Sequence, residues 1–276
     1  MAMLKVTTWN VNGIRARAAE VRAWVEREAP DVVCLQEVKA SPEHVPGELR
    51  ELPGYFGCWH GHKGYSGVAL LVSRATFGAR PQFVHPPFDL ETRSVTAIAG
   101  GVLFASLYVP NGGKDFAAKV RFLSELELFC RDARAAGQPL VVCGDLNVAR
   151  EPRDVHPKLQ NPLQIGQTSP EREQLERIIG HGLVDLSRKF HPDDDELFTW
   201  WAPWRSNRER NIGWRLDYVL ASEALAARAI SCDAYREHGT SDHAPVTASF
   251  DLELPRAEAS EDEPPSAEPK GQLSLL

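Results

Sequence analysis

Asp145 and Asn147 stand two residues apart directly after the apolar run Leu140-Val141-Val142-Cys143-Gly144. A carboxylate and an amide at that spacing can hold a water, a hard cation or a phosphate oxygen, provided strand geometry continues and turns both side chains to one side. The run before them is too short for a helix and rich in β-branched residues, so it reads as a buried strand; Gly144 permits a sharp exit and close approach by another group. Gly-Asp-Leu-Asn taken alone also serves as ordinary turn chemistry. Other apolar runs nevertheless end in the same way. Asn10 and Asn12 follow residues 4–9, Glu37 follows Val32-Val33-Cys34-Leu35-Gln36, Tyr108 closes residues 102–109, and Ser241-Asp242-His243 precede residues 244–250. A carboxylate such as Glu37 at the mouth of a buried strand requires a partner, whether a metal, a base or a salt bridge.

The elements that must position these groups can be traced in order. Residues 4–9 alternate as a strand, and Val21, Trp24 and Val25 fall at helical spacing within 18–28, which Pro30 closes. Short strands are expected near 55–60, 67–72, 94–99 and 102–109, separated by Gly and Pro. Residues 116–136 carry Val120, Leu123, Leu126 and Phe129 on one face, with Asp115 as N-cap and Gly137 as stop, and this helix leads into the strand that ends at Asp145. A polar, Pro-rich segment runs from Asn147 to Pro170 and is expected to lie over the site, followed by a helix over 171–179. Phe198-Thr199-Trp200-Trp201-Ala202-Pro203-Trp204 sets aromatics beside the basic stretch Arg205-Ser206-Asn207-Arg208-Glu209-Arg210, a pairing suited to bases or sugar next to phosphates. Further strands are expected at 215–220 and 244–250.

Composition bounds these readings. The chain has 276 residues, 43% hydrophobic and 25% charged, which suits one large domain or two small ones. No apolar run approaches membrane-spanning length and residues 1–5 show no signal-peptide pattern, so an intracellular protein with no membrane partner is expected. Five scattered cysteines, without a C-x-x-C pair, read as reduced thiols. The net charge of −7 argues against nucleic-acid binding through overall charge, but five acids and two bases in 255–276 account for −3 of it, leaving −4 for 1–254. That balance leaves room for a local basic face. From Pro255 onward the composition is that of a disordered acidic tail.

Taken together, Trp9-Asn10-Val11-Asn12-Gly13-Ile14-Arg15, Leu35-Gln36-Glu37, Tyr108-Val109-Pro110-Asn111-Gly112, Gly144-Asp145-Leu146-Asn147, Trp214-Arg215-Leu216-Asp217-Tyr218 and Ser241-Asp242-His243 resemble the exonuclease III family of apurinic/apyrimidinic endonucleases. That family lies within the endonuclease/exonuclease/phosphatase superfamily, and the resemblance spans residues 4–252 in order. It implies an α/β fold, a four-layer α/β sandwich of two mixed β-sheets packed face to face and flanked by helices, with the catalytic domain at 1–254. It also implies a metal-dependent phosphodiesterase that incises duplex DNA 5′ to abasic sites, with 3′→5′ exonuclease and 3′-phosphatase activity. The Val-Pro-Asn-Gly and Trp-Arg-Leu-Asp-Tyr motifs resemble the DNA-repair branch more than the inositol-phosphatase, sphingomyelinase or deoxyribonuclease I branches. A catalytically silent DNA or clamp adaptor is the alternative of a different class.

Carried over position by position, the resemblance makes Glu37 the first-choice Mg²⁺ ligand (Mn²⁺ substituting), with Asn10, Asp242, Asp145 and Asn147 completing or supporting the metal site. Asp145 would take the proton from water, oriented by Asn147; His243, held by Asp217, would donate to the phosphoryl oxygen; Tyr108 would contact the phosphate or the leaving oxygen. The family divides over whether Asp145 or His243 is the base. DNA contacts fall on Asn12, Arg15, Asn111, Trp200, Trp204, Arg205, Trp214 and Leu216, with Trp200, Trp214 and Leu216 matching the apolar wall of the abasic pocket. Gln272-Leu273-Ser274-Leu275-Leu276 resembles the short bacterial sliding-clamp-binding motif, with Leu276 where an aromatic is commoner. A monomer in the bacterial cytoplasm, associated with the nucleoid, is the expected setting.

Overall fold

In a computed structural model that describes residues 3–255, the chain alternates strands and helices so that every long apolar run is covered on both faces. The order is β1 (Met3–Asn10), α1 (Ile14–Glu28), β2 (Val32–Gln36), α2 (Gly47–Arg50), β3 (Tyr55–His62), β4 (Tyr65–Ser73), α3 (Arg74–Phe77), β5 (Phe83–Val84), β6 (Ser94–Ala99), β7 (Val102–Tyr108) and α4 (Phe116–Ala135). It continues with β8 (Leu140–Asp145), α5 (Ser169–Gly180), β9 (Leu183–Asp185), α6 (Leu186–Phe190), β10 (Asp217–Ser222), α7 (Glu223–Ala226), β11 (Ala229–Ala234) and β12 (Val246–Asp251). Two six-stranded mixed sheets result, ordered β11-β12-β1-β2-β4-β3 and β5-β6-β7-β8-β10-β9.

Period-2 alternation explains the layers. Val32 and Cys34 of β2, Val141 and Cys143 of β8, and Val219 and Ala221 of β10 share one core between the sheets. Their neighbours point outward: Val33 and Leu35 meet Val21, Trp24 and Val25 of α1, while Leu140, Val142 and Leu220 meet Leu123 and Leu126 of α4. Burying each such aliphatic side chain stabilises the fold by roughly 1.5–3 kcal/mol. The expected four-layer sandwich is what forms.

The boundaries shift where caps decide them. Asp115 caps α4 through Ala118 N–H to Oδ1 at 2.8 Å. The first helix begins four residues earlier than its apolar spacing indicates, because Gly13 and Ile14 amides are anchored on the Glu37 and Val38 carbonyls. The helix expected over 171–179 begins at Ser169, since a Thr168/Glu171 capping box places Pro170 inside the first turn. Strands β5, β9 and β11 were not expected: the first two are two and three residues long, and the third is a half-exposed edge with a register shift. All five cysteines are free, and all but Cys58 are buried. Among the described residues, no helix is long and apolar enough to cross a membrane. Gln272, Leu273, Ser274, Leu275 and Leu276 lie outside the described residues.

Candidate active site

Register brings the polar strand ends together. Parallel pairing sets Asn10 opposite Gln36, one residue before Glu37, and Tyr108 opposite Asp145. Antiparallel pairing starts β10 with Asp217 opposite Asp145, and sets Thr8 opposite Val246, three residues after His243. Side chains far apart in sequence therefore share one end of the sandwich. Gly144 is required there: at φ +150°, a Cβ would lie 1.9 Å from the Leu107 carbonyl oxygen of the neighbouring strand.

Asn10, fully buried, donates its amide Nδ2 at 2.9 Å to both Glu37 Oε1 and Asp145 Oδ2, while its Oδ1 accepts the Asn12 amide. It therefore binds the two carboxylates to each other. Glu37 sits at φ +50° and pairs with Lys39 Nζ at 2.6 Å. Burial works against its charge, but the hydrogen bonds from Lys39 and Asn10 hold its carboxyl below the usual range. Lys39 also donates to Asn12 Oδ1 at 2.6 Å.

Asp145 and Asn147 do meet, but not by the strand alternation expected of them. The strand stops at Asp145 and Asn147 turns to φ +53°, so its backbone N–H donates to Asp145 Oδ1 at 2.9 Å and its Nδ2 to Oδ2 at 3.3 Å. The turn chemistry and the site are the same feature. Asn147 Oδ1 accepts from Asn111 Nδ2 at 3.2 Å.

His243 is locked by both neighbours of its strand end. Residues 199–201 form a backbone splint: Trp200 and Trp214 exchange amide hydrogen bonds at 2.9 Å, and Ala244 N–H donates to the Thr199 carbonyl. Ser241 Oγ ties the same turn to the Asn10 carbonyl. The imidazole places Nδ1 2.8 Å from Asp217 Oδ2 and Nε2 3.8 Å from Asp145 Oδ2. Thr199 Oγ1 donates to Asp217 Oδ2 at 2.6 Å. Burial opposes a charged ring, but Asp217 and then Asp145 override it and raise the His243 pKa to about 10. Burial also lifts Asp145 to about 7; His243 opposes this, and the Asp217 and Glu37 carboxylates add to it. Tyr108 lies under the Arg93 guanidinium, 4.6 Å from the ring centroid, and burial with Glu37 and Asp145 nearby pushes its phenol well up.

Glu37, Asp145 and His243 have ligand atoms within 4.8 Å of one another. Buried carboxylate oxygens in excess of local cations suit a hard divalent ion. Asp242 is committed differently: Oδ1 accepts from Asn12 Nδ2 at 2.7 Å and Oδ2 from Trp200 Nε1 at 3.0 Å, so in this arrangement it holds Asn12 and Trp200.

Trp214 and Leu216 pack with Ala149 and Val155, and half-buried Trp200 stands edge-on to Trp214 at 5.8 Å, forming an apolar wall beside the carboxylates. The segment after Asn147 contributes to this wall through Ala149 and Val155, with Leu159 packed against the cluster. Trp204 is 61% exposed, and Arg15, Asn111 and Arg205 are exposed too. Arg208 is spent differently from the rest of its basic stretch, donating inward to the carbonyls of Arg236, His238 and Ser241. A 310 Å³ cavity adjoins the site, with Asn12, Arg17, Arg208 and Asp242 on its walls.

Several supports were not anticipated. Lys119 and Glu171 form a wholly buried ion pair at 2.5 Å, and Lys119 Nζ donates to the Asn147 carbonyl at 2.7 Å, holding the strained turn from below. Thr199 and Lys39 complete the set. None has a local sequence signal, since their partners arrive from distant elements.

Comparison with known proteins agrees with this geometry. The model of the Endonuclease/Exonuclease/phosphatase family matches residues 7–243. Exodeoxyribonuclease III of Haemophilus influenzae is 31% identical over 266 residues, covering 90% of this chain and 100% of that protein. The chain spans 37% of the length of Recombination repair protein 1 of Drosophila melanogaster, to which it is 32% identical over 254 residues, 90% of its own length. Among solved structures, a Neisseria 3′ phosphatase, NExo, bound to product DNA hairpin has a TM-score of 0.83 and 31% identity, covering 90% of this chain and 100% of that one. An AP endonuclease from Archaeoglobus fulgidus has a TM-score of 0.78 and 33% identity, with 90% and 100% covered.

Proposed function

The chain belongs to the endonuclease/exonuclease/phosphatase family, and within it we propose a divalent-metal-dependent DNA-repair nuclease that incises duplex DNA 5′ to abasic sites and processes 3′ ends. The observation that carries this reading is the juxtaposition of the Glu37, Asp145, Asp217 and His243 set with the apolar wall of Trp200, Trp214 and Leu216. A sugar without a base leaves the stack at little cost and fits an apolar pocket, whereas a normal nucleotide carries a base that does not.

Glu37 would be the principal ligand of Mg²⁺, with Asp145 at its edge and Asn10 binding the two carboxylates together. When bound, the ion supplies charge neutralisation at the phosphoryl oxygens and at the departing 3′-oxygen. Asp145, with a pKa near working pH, accepts the proton of the attacking water, and Asn147 orients that water or a phosphate oxygen. Asp217, 2.8 Å from Nδ1, favours the charged imidazole, which supports His243 as the donor from Nε2 to the phosphoryl oxygen rather than as the base. Tyr108 keeps its proton and serves as an O–H donor to the phosphate or leaving oxygen. Asn12, Arg15, Asn111, Trp204 and Arg205 supply the surrounding DNA contacts, Asn12 being fixed by Lys39 and Asp242. The tail ending in Gln272-Leu273-Ser274-Leu275-Leu276 would recruit the monomer to a bacterial sliding clamp in the nucleoid-bearing cytoplasm.

A side-by-side assay on abasic, nicked, 3′-phosphate and inositol-phosphate substrates tests the assignment. Abasic duplex and 3′-phosphate ends are expected to turn over and inositol phosphate not; preference for inositol phosphate would move the chain to another branch, and binding without cleavage would make it an adaptor.

A further inference from the structure

The outer face of the second sheet is not closed along its whole width. Leu103, Ala105 and Leu107 of β7 share one apolar cluster with Phe122, Leu123 and Leu126 of α4. Toward the β5–β6 edge that cover runs out, and Ile98 of β6 and Leu128 of α4 stay 39% and 40% exposed. Both border a 270 Å³ cavity whose other walls include Val84, Phe88, Leu103 and Phe129. An apolar cavity of about 150 Å³ already takes a benzene-sized group, so this one has room for more than one leucine side chain. A contiguous apolar recess on a folded surface marks a place where something docks.

The course of the chain points to the occupant. Leu252 and Leu254 pack against the core between the sheets, and a Cβ built on Gly100 would stand 2.9 Å from Leu254 Cβ. Gly100 opens the turn between β6 and β7, two residues beyond Ile98. The described residues therefore end, at 255, beside the strand that carries Ile98. After them the sole large aliphatic side chains are Leu273, Leu275 and Leu276, and the sole cation after Arg256 is Lys270. Gln272 is 17 residues past Pro255, a separation that can span roughly 55 Å, whereas Gly100 to Ile98 is only about 7 Å of strand. Charge agrees with this placement: Glu125, Asp132 and Arg131 give the groove one net negative charge, and Lys270 stands two residues before Gln272 to meet it.

We propose that the groove between β6 and α4 is an intramolecular docking site for residues 272–276, filled by the side chains of Leu273, Leu275 and Leu276. A tethered segment meets its groove at high effective concentration, so a short apolar contact suffices. The same leucines form the clamp-binding segment proposed above, and groove and clamp then compete for them; the docking itself does not depend on that reading.

The test uses the full chain without a clamp. Isoleucine methyl NMR spectra are compared between the unmodified protein and a variant carrying Leu273→Ser, Leu275→Ser and Leu276→Ser together. The Ile98 methyl resonance is expected to shift, while that of Ile14, buried against the other sheet, stays in place. In the reciprocal experiment, Leu128→Glu alters an exposed position of α4 and is expected to lower the heteronuclear NOE of the Leu273 and Leu275 amides, with incision of short oligonucleotides unchanged. An Ile98 resonance identical in the two proteins, or tail amides whose NOE is the same with and without Leu128→Glu, would overturn the proposal. An Ile98 shift that grows with protein concentration would also overturn it, by putting the tail of a second copy in the groove.

Discussion

Asp145 is the residue where stability and catalysis pull apart. It is 1% exposed, faces two further carboxylates, and its pKa is raised to about 7 by burial, so the fold holds a charge it would be more stable without. Asp145→Asn keeps the hydrogen-bonding shape and removes that charge. Incision is expected to fall by about 10²–10⁴ while the unfolding midpoint stays level or rises, measured by single-turnover cleavage beside thermal unfolding. An active Asp145→Asn protein would remove this residue from the proton-accepting role. Asp217 acts one step away, through the 2.8 Å contact to His243 Nδ1 that favours the imidazolium. Asp217→Asn withdraws the carboxylate that raises the His243 pKa to about 10, so the alkaline limb of the pH–rate profile should move to lower pH. An alkaline limb unmoved in Asp217→Asn would show that another group titrates there.

At the scale of elements, the turn Pro152–Asp154 is fastened to the approach of β10 by charge rather than by apolar contact. Asp154 Oδ1 accepts from Arg188 and from Arg215 Nε at 2.9 Å, while Oδ2 accepts from Arg215 Nη2 at 2.9 Å; Arg215 and Asp154 are fully buried. Burial alone would raise the Asp154 pKa, but Arg215 and Arg188 outweigh it and lower it to about 2. A carboxyl lowered in the folded state stabilises fully above its unfolded pKa and loses that contribution as pH falls toward the folded one. The stabilisation, about 2 kcal/mol, is therefore complete at pH 7 and drains away between about pH 4 and pH 2. Asp154→Ala should cost about 3–5 kcal/mol at pH 7 because it strands buried arginine charge. In urea titrations the gap between the two proteins should narrow at pH 3; a gap independent of pH would mean the carboxylate is not charged in the fold. The strand ends at Asn10, Glu37, Tyr108 and Asp145 were legible because polar residues interrupt apolar runs at a recognisable period. Lys119, Glu171 and Thr199 were not, because a buried lysine within α4 looks like any solvated one until α5 and the Asn147 turn close over it. The spacing of Asp145 and Asn147 pointed to the right place through the wrong geometry, since a residue at φ +53° leaves the strand.

For the whole molecule, the site exists only because two sheets and the splint at 199–201 bring ends from residues 10 to 243 to one edge. Family resemblance made the sandwich legible where local periodicity indicated no more than mixed α/β, because period alone does not specify which strands pair. The net charge of −7 opposes approach to DNA, and clamp docking would offset it by raising local concentration. Deleting 271–276 is expected to leave incision of short oligonucleotides unchanged and to abolish binding to the cognate clamp in a calorimetric titration; equal clamp binding by both proteins would rule the tail out as the contact. The central claim, a metal-assisted cut beside an abasic sugar, is tested most directly by end-labelled duplex carrying one abasic site, incubated in Mg²⁺ and then in EDTA. The expected result is a cut 5′ to the abasic site leaving a 3′-hydroxyl, abolished by EDTA and restored by Mg²⁺; cleavage that persists in EDTA, or internal cleavage away from the abasic site, would contradict it.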